Sequence, residues 1–380
     1  MKEKAVLGIM LTLMLIGMLT AFSLATVESG KTGKVTGERA HGANELPKQP
    51  LSSRYSSLAS SEPPPTGWNK TYGGASWDGA YSVVQTRDEG YALTGYTQSY
   101  GAGGADVWLV KTDSSGNMQW SRTYGEGSAD YAHSVIQTSD GGYALAGYTF
   151  PLGSYYRVLW FVKVDSAGNV QWSQTYGGTG DDRAYSVIQT VDGGYALAGT
   201  INSDFCLVKF DANGIMEWSQ TYGGERDWDI AYSLVQTRDE GYALAGFTWP
   251  YGASVAYYLL VKTDSSGNMQ WSRTYGETGL HCASLVQTVD GGYALAGQSF
   301  WLVKTDSNGN VQWCRTYEDL GIHASSLVQT IDGGYALTAE HWSGDFYLMK
   351  TNSSGHVQWI GTYGGISSDR AYSVIQTVDG

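Results

Sequence analysis

Five aspartates, Asp78, Asp130, Asp182, Asp229 and Asp369, stand at equivalent places in a recurring pattern, each three residues before a Tyr or its counterpart. A ring of such carboxylates would suit a hard cation such as calcium, which takes six to eight oxygens. An Asp entering a strand equally well caps the backbone N–H groups of its own loop, and members on opposite sides of a wide ring stand too far apart to share one ion. Capping is therefore the expected role, with calcium the ion to look for at these five positions. Two further units replace the Asp by Leu280-His281 and Ile322-His323. Two imidazoles make half of a zinc site, and no further ligand cluster accompanies them.

Nucleophiles and redox groups are sparse. Cys206, Cys282 and Cys314 are the only cysteines, and an odd set of three excludes a disulfide framework. No Gly-x-Ser-x-Gly, P-loop or His-Glu-x-x-His occurs. A glycosidase needs two placed carboxylates, and no such pair stands out from the acidic residues. No catalytic residue and no cofactor are expected.

The elements that must position these residues come from self-comparison. Gly-Tyr-Ala-Leu recurs with its Tyr at 91, 143, 195, 242, 293 and 335, and Gln-Thr with its Thr at 86, 138, 190, 237, 288, 330 and 377. A Trp returns at 68, 120, 172, 218, 271, 313 and 359, and a Lys at 111, 163, 209, 262, 304 and 350. Within a unit, Ala80-Tyr-Ser-Val-Val-Gln-Thr86 and Tyr91-Ala-Leu-Thr-Gly-Tyr-Thr97 are β-rich runs joined through Asp88-Glu89-Gly90, a hairpin signature. A second hairpin, Val107–Thr112 and Met118–Thr123, turns at Asp113-Ser-Ser-Gly116-Asn117, where Gly116 can take positive φ. Each unit is four antiparallel strands. Radial repetition of such sheets is the β-propeller, whereas a flat array would leave its edges exposed.

Spacing separates two faces. The Thr-to-Tyr interval is 5 and the Lys-to-Trp interval 9 in all six complete units, whereas Tyr-to-Lys runs 20, 20, 14, 20, 11 and 15. The first and third turns of a four-stranded meander share one edge, and the variable second turn shares the other with the link between units. That variable face carries aromatic residues the repeat does not require: Trp77, Tyr100, Phe150, Tyr155, Tyr156, Trp228, Trp249, Tyr251 and Trp342. Of these, Trp77, Tyr155, Tyr156, Trp228, Trp249, Tyr251 and Trp342 are the expected ligand-binding residues, since rings bring contact area at small entropic cost. The repeated Trp, Lys, Asp and Gln-Thr are expected to be structural.

The ends of the repeat region bear on blade number. Trp68–Gly74 reads as a fourth strand without its first three, and Ala371–Thr377 as a first strand without the next two. Together they predict seven blades, the last incomplete in this chain, with sequence continuing past Gly380.

Lys111-Thr-Asp113-Ser-Ser-Gly116-Asn-Met-Gln-Trp120 resembles the tryptophan-docking motif of quinoprotein propellers, and Asp192-Gly-Gly-Tyr195-Ala-Leu-Ala-Gly199 resembles a kelch-type strand. Over 68–380 the chain is similar to exported bacterial and archaeal β-propeller-repeat proteins. The quinoprotein likeness implies a calcium and quinone site, but the adjacent cysteine pair that covers the quinone in many members has no counterpart here.

The 380-residue chain has formal charge −13, 51 Gly, 28 Tyr and 14 Trp. Such acidity repels phosphate backbones and excludes nucleic acid as a partner. Lys2 and Lys4 precede an uncharged apolar run ending in Ser23-Leu24-Ala25, so residues 1–25 read as a signal peptide or membrane anchor. Residues 26–66, with five of the seven prolines, read as a disordered linker, and 67–380 as the propeller. The expectation is a secreted or cell-surface module that binds a surface glycan or protein through its variable face. The alternative is a secreted enzyme, either polysaccharide-active or a quinone-dependent oxidoreductase.

Overall fold

The computed structural model describes residues 9–11 and 67–378, apart from 127–128, 152, 179, 225–226, 279–282, 298–300, 318–321, 342–343 and 365–368. Six sheets of four antiparallel strands follow one another, covering 78–124, 130–176, 183–222, 228–278, 283–316 and 322–363. In every sheet the strands lie in chain order. In the first these are Asp78–Gln85, Tyr91–Thr97, Asp106–Thr112 and Met118–Tyr124. A short strand, Ile9–Leu11, also pairs antiparallel with Trp68–Lys70.

Burial follows from stacking blade on blade. The second and third strands are covered on both faces and read as nearly continuous apolar runs, as in Tyr91–Thr97 and Asp106–Thr112. Outermost strands such as Val170–Tyr176 alternate between exposed and half-buried positions. Side chains of neighbouring sheets share each core cluster: Leu159 and Phe161 of the second blade pack with Leu197, Val208 and Phe210 of the third.

Two repeated devices fix this geometry. Gly168 and Gly214 sit at φ 81° and 77° in their turns, a conformation that favours glycine. Trp120 and Trp172, from the preceding blades, lie against them so closely that a Cβ would meet the rings at about 3 Å. Tyr124 and Tyr176 then donate to the same two glycine carbonyls, each at 2.8 Å. The other device is a buried lysine. Lys163 Nζ donates to Asp140 at 2.8 Å, Gln171 at 2.8 Å and the Val164 carbonyl at 3.0 Å, tying the two hairpin turns together. Lys111, Lys209, Lys262, Lys304 and Lys350 pair with Asp88, Asp192, Asp239, Asp290 and Asp332 in the same way. Once desolvated, each ammonium needs such partners.

The described residues thus form an all-β propeller of six four-stranded blades, and the expectation of seven is corrected. Residues 371–377 form no sheet strand. The segment instead lies singly between the sixth and first blades. Val374 N–H donates to Ser326 Oγ and Ile331 N–H to Gln376, while on the other side Val83 N–H donates to Ser373 Oγ and Val378 N–H to Gln85.

Candidate functional site

Five of the innermost strands, including that of the sixth blade at Ala324/Ser326, carry one extra residue between an Ala and a Ser. The register shifts at Ala80/Ser82, Ala132/Ser134, Ala184/Ser186 and Ala231/Ser233, and such bulges re-aim a side chain. The residues released this way are Tyr81, His133, Tyr185 and Tyr232, with Tyr372 following Ala371 in the single segment. Their rings meet in sequence around the inner strands. Tyr81 touches Tyr372 at 5.1 Å and His133 at 5.0 Å, His133 touches Tyr185 at 4.9 Å, and Tyr185 touches Tyr232 at 4.7 Å.

The belt extends to the variable face at two places. Tyr232 contacts Phe247, Phe247 contacts Trp228, and Trp228 stacks on Trp249 at 6.1 Å. From His133 a second branch runs through Tyr148 to Phe150. Arg157 lies over both of those rings, at 5.2 and 5.0 Å, and Arg183 lies over Tyr148 at 5.5 Å. Asp181 accepts from both guanidiniums, Arg157 Nη1 reaching its two oxygens at 2.9 and 2.8 Å. Arg183 also donates to the Tyr185 hydroxyl at 3.1 Å. A delocalised cation over a ring face is attracted by the ring quadrupole.

His133 is the polar centre of this belt. Its Nε2 is enclosed without a hydrogen-bond partner. Burial, with the nearby charges of Arg183 and Arg157, pushes its pKa down to about 3. The imidazole is therefore neutral at physiological pH, available as a donor or acceptor to whatever enters. Burial likewise raises the Tyr81, Tyr148 and Tyr185 hydroxyls above their usual range, so they act as phenols.

The expected binding aromatics are on the surface but do not form one patch. Tyr155 and Tyr251 are the most open, at 94% and 74% exposure, with Trp77, Tyr156 and Trp228 also exposed. Trp228, half-buried Trp249 and Tyr251 share the fourth blade, where Trp249 Nε1 donates to the Ala253 carbonyl and Tyr251 N–H to Asp227. Tyr155 and Tyr156 belong to the second-blade loop and Trp77 to the first blade; Trp342 lies outside the described residues. A groove of about 470 Å³ flanks the first blade, lined by Tyr100, Trp108, Met118 and Arg122.

The five aspartates divide. Asp78 accepts from Gly74 N–H and from Thr97 and Ser99, and Asp182 from the Gly178 and Asn202 amides, which is the capping role. Asp130 and Asp229 are buried with neither carboxylate oxygen hydrogen-bonded. Asp369 is buried at the last seam. Among the described residues no group of three metal-binding side chains converges. His281 and Cys282 lie outside the described residues, Cys206 is buried, and its thiol pKa is raised by burial.

Sequence reasoning missed the belt because it treated Ala-Tyr-Ser as part of a structural repeat. A signal was present: the residue just before the fixed Ser varies from Tyr to His, Ala and Ser.

No protein-family model matches the chain, and no curated protein does. Among solved structures it is similar to Sqt1 from Chaetomium thermophilum, in a crystal structure bound to the N-terminus of the ribosomal protein L10, with 12% identity and TM-score 0.48. A second Sqt1 structure from the same organism gives 11% identity and TM-score 0.46. In both, the likeness covers 76% of this chain and 88% of the other.

Proposed function

We propose that the chain is a binding module that works outside the cytoplasm and holds a peptide or glycan segment at its variable face, against the aromatic belt. The observation that carries this reading is the unbroken series of ring contacts from Tyr372 through His133 and Tyr185 to Trp249. Half-buried rings on a rigid sheet scaffold present apolar contact area with little side-chain entropy left to lose. The Arg157–Asp181–Arg183 cluster and the neutral His133 add polar recognition beside them. The export-like apolar run at residues 5–25, and the likeness of the repeats to those of exported propellers, support an extracytoplasmic setting.

The test is a peptide and glycan array probed with the full chain, followed by titration of the best ligand against Tyr185→Ala and Trp249→Ala. Binding without turnover that weakens in both variants is expected. Turnover of a bound glycan, or binding indifferent to both changes, would overturn the reading.

A further inference from the structure

Asp130 and Asp229 enter the innermost strands of the second and fourth blades, at equivalent positions, and each is wholly enclosed. Neither oxygen of either carboxylate has a hydrogen-bond partner in acceptable geometry. Thr149 and the Glu126 amide beside Asp130, and Thr248 and the Gly224 amide beside Asp229, still favour the charged forms to some degree. Burial outweighs them and raises both acids, Asp229 to about 7.

The neighbour across each seam is another acid. Asp106 opens the third strand of the first blade and is itself buried. A Cβ on Gly125, in the link between the blades, would collide with both Asp106 Oδ1 and Asp130 Oδ2. At the seam between the third and fourth blades, Asp204 occupies a third-strand start and, with Asp227, lies near enough to Asp229 to repel its charge. Asp130 and Asp229 are held in place by matching backbone bonds, Asp130 N–H to the Ala105 carbonyl and Asp229 N–H to that of Ser203.

The seam between the second and third blades supplies an internal contrast. There the third strand opens on Val158, which is apolar, and Asp182 is capped by two backbone amides at 2.6 and 2.8 Å. Asp182, which faces no acid there, keeps its two amide bonds, whereas Asp130 and Asp229, each beside an acid of the preceding blade, keep none. Asp106 Oδ2 accepts from Ala102 N–H at 2.9 Å, but Asp130 and Asp229 have no such bond, and an enclosed carboxylate left so beside a second acid is costly unless something positive lies between them.

We propose that Asp106 with Asp130, and Asp204 with Asp229, each hold a divalent cation of the calcium class at the seam between consecutive blades. The donors are all oxygen, which selects a hard cation over zinc or copper. Calcium tolerates an irregular shell completed by main-chain oxygens and water, whereas magnesium demands near-octahedral geometry and dehydrates reluctantly. Such an ion would lock one blade to the next, and it is independent of what the variable face binds.

The experiment uses the full chain, stripped with EGTA and then titrated with calcium or magnesium, while Tm and terbium luminescence sensitised by the nearby tyrosines are followed. Calcium is expected to raise Tm by stabilising the folded state, magnesium to do so far less, and terbium to be displaced by calcium. Asp130→Asn and Asp229→Asn should each lower the calcium response, and the double variant should abolish it. In EGTA both variants should be at least as stable as the parent, because a repulsion is relieved, which separates loss of binding from failure to fold. An unchanged Tm with calcium in the parent chain, or a double variant that responds as the parent does, would overturn the proposal.

Discussion

Tyr124, at the end of the first blade, donates its hydroxyl to the carbonyl of Gly168 in the second blade at 2.8 Å. Trp120 and Arg122 of the first blade flank the same glycine, at 3.0 and 2.8 Å from where a Cβ would stand. Gly168→Ala must therefore take a left-handed φ and push into that contact. A loss of about 1–3 kcal/mol is expected, and Tyr124→Phe should cost about 1 kcal/mol through its unpaired acceptor. Urea denaturation checks both, and an unchanged midpoint for Gly168→Ala would show that the turn is not a fixed seat.

Acid should loosen the molecule in a defined window. Burial alone would raise Asp140, Asp290 and Asp332, but hydrogen bonds from Lys163, Lys304 and Lys350, and from neighbouring threonines, hold them at about 2. A carboxyl depressed in the folded state contributes stability above its unfolded pKa of about 3.9 and loses it as pH falls through the folded value. Tm should accordingly drop as pH goes from about 4 towards 2, and Lys163→Met should flatten part of that drop.

His133 acts in a higher window. Its folded pKa of about 3 lies below the unfolded value of about 6.5. Between those values only the unfolded chain takes up the proton, so stability should fall as pH drops from about 6.5. His133→Phe should remove this component while leaving the lower window intact. Thermal melts across pH 3.5–7 distinguish the two, and identical profiles for parent and variant would rule out the enclosed neutral imidazole.

Binding should divide by face. Tyr155→Ala, Trp249→Ala and Tyr251→Ala are each expected to weaken capture of an array-selected ligand by about 1–4 kcal/mol where the ring anchors it, with little loss of fold. Asp165 and Asn169 lie in the second blade's constant hairpin turn, where Asp165 accepts from Asn169 at 2.8 and 2.9 Å. Their replacement by Ala should leave affinity unchanged. Calorimetry reads both, and the reverse pattern would move the site to the constant face.

Much of the scaffold was legible in the sequence because its rules are local. Fixed hairpin lengths, the turn glycine and the recurring Lys and Trp all act within one unit or between adjacent units, so they repeat visibly. Blade number was misjudged because it depends on whether residues 371–377 gain sheet partners, which no local pattern states. The site was harder still. Tyr81, His133 and Tyr185 lie 52 residues apart in the chain, and only the bulges bring their rings together. Asp106 escaped notice because its partner Asp130 belongs to the following blade.

The closing segment places amino acids nearly 300 positions apart in direct contact: Val83 with Ser373 and Gln85 with Val378, at separations of 290 and 293. Every other seam joins sequence neighbours and can zip as soon as its two blades exist. This one must wait for the whole circle, and it carries the loop-closure entropy of the entire chain. Assembly should thus resemble fastening a bracelet, with the clasp formed last and opened first. Amide exchange at Val83 and Val378 should outpace that at Val135 and Val187, whose bonds to Ser82 and Ser134 serve the same purpose at interior seams.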